Sequence, residues 1–202
     1  MSAKTIRDID VIRTFVLQGT LNFTRYFFKI RQKRKFVVGK HHREIAAALD
    51  KVLCGEITRL IINIAPRYGK TELAVKNFIA EGLAINPKAK FIHLSYSDDL
   101  ARDNSRGVQD IINEPEYRRI FPATIPTSTN TKKWYTTEGG GLYAVSSAGP
   151  VTGFGAGLVD AEDNDELAQE AEEPDGQNAE GSRGEIIQDD PMKPDEARRD
   201  QI

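Results

Sequence analysis

No acidic residue occurs between Val11 and Arg43, and no Lys or Arg between Asp160 and Glu180, so a net charge of -2 over 202 residues conceals two segments of opposite sign. Cysteine is almost absent. The lone Cys54 excludes an internal disulfide, and its neighbours Leu49, Val52 and Leu53 predict burial rather than chemistry. No apolar run approaches ~20 residues, which excludes a helical membrane span, and the N-terminus lacks the apolar stretch of a secretory signal. An intracellular protein is expected. With 39% hydrophobic residues the chain can bury a proper core, and one domain is the default.

What the basic segment does contain is Arg25, Lys29, Arg31, Lys33, Arg34, Lys35, Lys40 and Arg43, interleaved with Phe23, Tyr26, Phe27, Phe28 and Phe36. Two readings are open: a surface that grips a phosphate backbone, or an amphipathic helix with a packed aromatic face and a solvated basic one. The acidic stretch holds Asp160, Glu162, Asp163, Asp165, Glu166, Glu170, Glu172, Glu173, Asp175 and Glu180. Its apolar content is too small to offset chain entropy and charge repulsion, so a solvated, largely disordered loop is expected. A calcium loop is the sharper alternative, but the glycine that such a loop requires is missing from Asp160 to Glu170.

Apolar periodicity predicts one or two helices over Thr5 to Ile30 and another over His41 to Cys54. After Gly55 the pattern changes. Strand Leu60 to Ile64, a loop, helix Glu72 to Leu83, an Asn86-Pro87 turn and strand Lys90 to Ser95 read as a β-α-β unit with parallel strands. Leu100 to Ile112 reads as a helix, and Pro115, Pro122 and Pro126 punctuate a loop-rich stretch. Lys133 to Thr137 and Leu142 to Val145 then flank Glu138-Gly139-Gly140-Gly141, a hairpin turn whose glycines suit positive φ angles.

The loop between the first strand and its helix is the most informative segment. Ala65-Pro66-Arg67-Tyr68-Gly69-Lys70-Thr71-Glu72 sets Gly-Lys-Thr at a helix mouth, where backbone N–H groups converge on phosphate oxygens. Lysine reaches the outer phosphates, and the threonine hydroxyl ligates magnesium. The full G-x-x-x-x-G-K-[ST] pattern would have its first glycine at Ile64, so the match is a variant. Farther on, Glu185-Ile186-Ile187-Gln188-Asp189-Asp190-Pro191 reads as a short strand ending in two carboxylates, with Pro191 stopping it. A phosphate-loop enzyme needs a strand that delivers one aspartate to magnesium and a nearby carboxylate to the attacking water. Asp189 and Asp190 fit those tasks.

Together these motifs resemble the N-terminal ATPase domain of the large terminase subunit, the motor that packages DNA into tailed-phage capsids. The likeness extends over most of the chain. It rests on Arg59 through Glu72, His93-Leu94-Ser95-Tyr96-Ser97 with Leu100-Ala101 and Ser105-Arg106, then Phe121-Pro122, Trp134, Thr137-Glu138-Gly139-Gly140-Gly141, Thr152-Gly153-Phe154-Gly155-Ala156 and Asp189-Asp190-Pro191-Met192-Lys193. That family's loop usually reads Pro-Pro-Arg-x-Gly-Lys-Ser/Thr, without the first glycine. The resemblance implies an α/β fold of the P-loop NTPase type, with a mainly parallel sheet flanked by helices and incomplete at the C-terminus. Taken with the charge pattern, it divides the chain into a helical N-terminal extension (1–55), a P-loop ATPase core (56–159), an acidic disordered insertion (160–184) that composition indicates, and a Walker B-like strand and tail (185–202).

By position, the resemblance makes Lys70 the phosphate-binding lysine, Thr71 the magnesium ligand, and Arg67 the arginine that contacts or senses the γ-phosphate. Asp189 would orient magnesium through its water shell, and Asp190 the attacking water. Arg102 and Arg106 are candidates for an arginine supplied to a neighbouring subunit, with plain surface roles as the alternative. The implied ligands are Mg2+ and ATP, and the implied activity is ATP hydrolysis coupled to DNA translocation. Expected partners are double-stranded DNA, the portal protein, the small terminase subunit and further copies in a ring, with no membrane. The expected location is the bacterial host cytoplasm, transiently at the procapsid portal. Two departures from the family are visible: Gly157 to Gly184 separates the Gly-Phe-Gly-Ala element from the carboxylates, and Ile202 follows them closely. A non-hydrolysing ATP-binding or assembly module is therefore one alternative, and a DNA helicase-like ATPase another; no nuclease domain is expected. Phe36, His41, His42 and Arg43 lie where an adenine pocket would be built, although histidines at a helix start have simpler explanations.

Overall fold

The computed structural model describes residues 8–146 and 185–189. It is an α/β arrangement built on a four-stranded mixed sheet in the order β2-β3-β1-β4. β1 (Lys90–Ser95) lies between β3 (Gly141–Ser146) and β4 (Glu185–Asp189) and runs parallel to both, while β2 (Lys133–Tyr135) is antiparallel to β3. A strand flanked on both sides by parallel neighbours is covered on both faces, and the run Phe91, Ile92 and His93 is accordingly buried throughout. The expected hairpin is present, with Gly139 at φ 91 in its turn.

Helices α1 (Asp8–Val16), α2 (Thr20–Gln32) and α3 (Lys40–Leu53) precede a helical run that includes a π-helix, Glu72–Asn77, and continues as α4 (Phe78–Ile85). Helices α5 (Asp98–Asn113) and α6 (Pro115–Ile120) follow β1. α5 packs on β1 and β3, and the π segment and α4 pack between α5 and the N-terminal helices. Val16, Phe23, Phe27 and Leu49 from the first three helices join Leu73, Phe78, Phe91, Tyr117 and Trp134 in one buried core. Among the described residues no helix is long and apolar enough to cross a membrane.

α2 shows why the basic segment folds as it does. Helical periodicity buries Phe23 and Phe27 and leaves Arg25 and Lys29 exposed on the other side. Phe23 and Phe27 lie 4.6 Å apart between ring centroids, Phe27 and Tyr117 5.3 Å, and Tyr117 and Phe121 5.1 Å. The aromatic face of the basic segment is thus core. Part of its charge is also used internally, since Arg13 donates to the Ile120 carbonyl and stacks over Phe121, and Arg34 lies over the Phe28 ring.

Four expectations are corrected. Residues 60–64 join no strand ladder among the described residues: Leu60 and Ile62 lean on the core while Ile61 is 93% exposed, so burial alternates as in a strand without a hydrogen-bonded neighbour. The β-α-β unit therefore lacks its first strand. The helix expected from Glu72 to Leu83 is longer, covering residues 70–85, and includes a wide π turn in which the Phe78 N–H reaches the Leu73 carbonyl five residues back. Cys54 is exposed at the C-cap of α3, because Leu49 occupies the inward position. Pro115 starts α6 at its first turn, where its missing N–H costs nothing. The calcium alternative, Thr152 to Ala156, the acidic stretch and Asp190 lie outside the described residues.

Trp134 joins the sheet to α5. It is 1% exposed, and its indole N–H donates to the Ser105 hydroxyl at 2.9 Å. Trp134→Phe is expected to lower the unfolding free energy by ~1–3 kcal/mol, from the lost hydrogen bond, the orphaned hydroxyl and the vacated volume. Urea titration would show a lower midpoint at unchanged slope, and the loss should shrink when Ser105→Ala is already present.

Candidate functional site

The segment 65–72 opens the long helical run. Ala65, Pro66, Arg67 and Tyr68 are exposed, and Gly69, Lys70, Thr71 and Glu72 are half-buried. Arg67 has φ 68 and Gly69 φ 78, so left-handed residues stand on both sides of Tyr68. For Gly69 this conformation is free of strain, whereas Arg67 adopts it at some cost. The Gly69 carbonyl then accepts the Leu73 N–H at 3.0 Å, and Lys70 and Thr71 occupy the first helical turn. The leading N–H groups of a helix have no intrahelical acceptor, and backbone with left-handed residues of this kind gathers N–H groups into an anion-binding concavity.

Two N-terminal helices hold this loop at its two ends. From α2, Arg31 bonds the Glu72 carboxylate at 2.7 Å and reaches the Gly107 carbonyl of α5 at 3.4 Å. Buried Asn77 also donates to Glu72, at 2.7 Å to its carbonyl and 3.0 Å to its carboxylate. The Glu72 side chain is thereby committed to packing, and its part in a phosphate loop is confined to the backbone.

From α3 comes His42, 7% exposed. The Gly39 N–H donates to its Nδ1 at 2.9 Å, and its Nε2 lies 2.9 Å from the Tyr68 carbonyl. A backbone N–H can only donate, so Nδ1 accepts, and the neutral ring carries its proton on Nε2, aimed at Tyr68. The His41 Nε2 lies 3.2 Å from the same Nε2 and shares that proton as an acceptor. Burial, and then the neighbouring His41, lower the His42 pKa from its ordinary value, against the opposing pull of the Tyr68 carbonyl. Phe36 packs edge-on to His42 with ring centroids 4.9 Å apart, and Tyr68 to His41 at 5.6 Å. A Cβ on Gly69 would meet His42 Nε2 at 2.8 Å, so glycine is required there for space as well as for φ.

Asp189 ends β4 in register with Ser95 of β1, at the carboxyl ends of the parallel strands. Asp98, at the start of α5, accepts the Ser146 N–H at 2.8 Å and ties the ends of β1 and β3 together; that hydrogen bond is the largest cause of its lowered pKa. Arg102 and Arg106 are exposed on α5, and Arg106 pairs with Asp103 at 3.3 Å. Among the described residues no three His, Cys, Asp or Glu side chains gather as a metal cage.

The Arg31–Glu72–Asn77 clamp has no counterpart among the sequence expectations, which place His42 at an adenine pocket or in a plain role at a helix start. The Gly-x-x-His spacing at the start of α3 was the available signal for a side chain that turns back on its own helix N-terminus. No family model, no curated protein and no solved structure matches the chain.

Proposed function

We propose that the chain is the ATP-binding and ATPase part of a viral DNA-packaging motor of the terminase large-subunit kind, with a P-loop fold. One observation carries the nucleotide reading: left-handed Arg67 and Gly69 bracket Tyr68 where Lys70 and Thr71 begin a long helix. In this reading the amides around Gly69 hold phosphate oxygens, Lys70 neutralises the outer phosphates, and Arg67 faces the γ-phosphate. Mg2+ suits an aliphatic hydroxyl, a carboxylate and phosphate oxygens, a donor set within the means of Thr71 and Asp189. When bound it would offset the charge of the β- and γ-phosphates. Asp190 would take a proton from the water that attacks the γ-phosphorus as the bond to the β-phosphate oxygen breaks.

The terminase reading, with double-stranded DNA, portal, small subunit and a ring of copies as partners, is supported by the order and spacing of the motifs. Exposed Arg25 and Lys29 on one side of α2, with exposed Lys33 at its C-cap, suit a polyanionic partner. The non-hydrolysing module is favoured by one observation, the absence of a ladder at 60–64 among the described residues, since a loop without that link to the sheet is poorly coupled to a carboxylate at the end of β4. Phosphate release from Mg·ATP separates the two readings. Turnover that disappears with EDTA supports the motor, and Mg·ATP binding without release supports the module. Absence of any nucleotide binding rejects both.

A further inference from the structure

We propose that His42 is a positioning residue of the phosphate loop: by holding the Tyr68 carbonyl on the α3 side, it turns the Gly69 N–H toward the phosphate. The inference rests on the nucleotide reading above and assigns part of that site to a helix outside the loop. A trans peptide is planar, and its C=O and N–H point to opposite sides. The bond from His42 Nε2 to the Tyr68 carbonyl, at 2.9 Å, therefore fixes the direction of the next N–H as well. The ring cannot rotate freely, because the Gly39 N–H holds Nδ1 at 2.9 Å and Phe36 packs edge-on against it. Gly69 lies too close to His42 Nε2 for any side chain, so ring and loop fit as one unit.

Without this bond, the peptide joining Tyr68 to left-handed Gly69 is free to flip, which would replace a donor by a carbonyl oxygen facing the phosphate. The far end of the loop is already fixed by Arg31 on Glu72. His42 acts at the opposite end, on the Tyr68 backbone, while the Tyr68 ring packs on His41. Glutamine is the conservative replacement, since at this third helical position its Oε1 can accept the Gly39 N–H while its Nε2 donates to Tyr68.

The test compares wild type, His42→Leu and His42→Gln by hydrogen exchange of amides 67–71 without nucleotide, and by calorimetric titration with Mg·ADP. His42→Leu is expected to speed loop exchange and weaken Mg·ADP binding by about five- to tenfold each, and His42→Gln to restore both to within about threefold. Should His42→Leu unfold the chain, His42→Asn, polar but too short to reach Tyr68, takes its place. Unchanged exchange and affinity in the variant that lacks the donor overturn the proposal. Equal impairment by His42→Gln also overturns it, by showing that any replacement of the ring is damaging. A wild-type chain that binds no Mg·ADP, while loop exchange still responds to His42→Leu, overturns the nucleotide reading and the positioning role with it, leaving only the hydrogen bond.

Discussion

Lys70→Ala is expected to weaken Mg·ATP binding by ~10- to 100-fold and to reduce phosphate release to background. The magnitude follows from removing a charged donor from a site whose proposed ligand carries several negative charges: hydrogen bonds to charged groups contribute ~1.5–3 kcal/mol, and every 1.4 kcal/mol is tenfold. Lys70 is half-buried on the first helical turn, and the core packing begins only at Leu73, so the fold should survive the substitution. Equilibrium binding of a fluorescent ATP analogue, with urea unfolding as the control, measures both. Wild-type affinity in a folded Lys70→Ala protein would mean that the nucleotide, if bound, sits elsewhere.

The second large effect concerns stability and pH. Glu81 on α4 is 1% exposed, and its pKa is pushed up to about 8, first by burial and also by the nearby Asp50, against the Thr20 hydroxyl. Asp50 is itself bound to the start of α2 through the Thr20 N–H at 2.7 Å. Because the folded state holds the Glu81 proton more tightly than the unfolded chain, its contribution is complete below the ordinary value of 4.5 and is lost as pH rises to about 8. The slope within that window is at most ~1.4 kcal/mol per pH unit. Glu81→Gln keeps the shape without the proton. Its stability advantage over wild type should therefore grow steadily between pH 5 and pH 8, where denaturant midpoints of both proteins can be compared. His42, with its lowered pKa, acts in the opposite sense but equally in both proteins, so the difference isolates Glu81. A constant gap across that range would show that Glu81 is ionised in the folded protein.

The elements that local pattern could predict were those whose neighbours are close in sequence or whose apolar content is unmistakable. Lys90–Ser95 carries a buried run, the α5 stripe repeats at helical spacing, and a triple glycine turns the hairpin between Lys133 and Val145. Segment 60–64 has the alternation of a strand, but alternation reports burial and cannot supply a hydrogen-bonding neighbour. The π turn comes with a buried Asn77 that turns back to bond the Glu72 carbonyl, a contact that no propensity encodes. At the candidate site, the loop that leads Lys70 and Thr71 into a helix was legible because it lies in consecutive residues. The clamps were not, since Arg31 and Glu72 are 41 positions apart and His42 and Tyr68 26 apart.

The central claim is that the amides opening the helical run receive the phosphates of a magnesium nucleotide. Amide-resolved NMR of the full chain titrated with Mg·ADP tests it most directly. The account predicts saturable shifts that are largest at Gly69, Lys70 and Thr71, with smaller ones at Gly39 and His42. Saturable shifts centred away from residues 65–72, or none at any concentration, would contradict it.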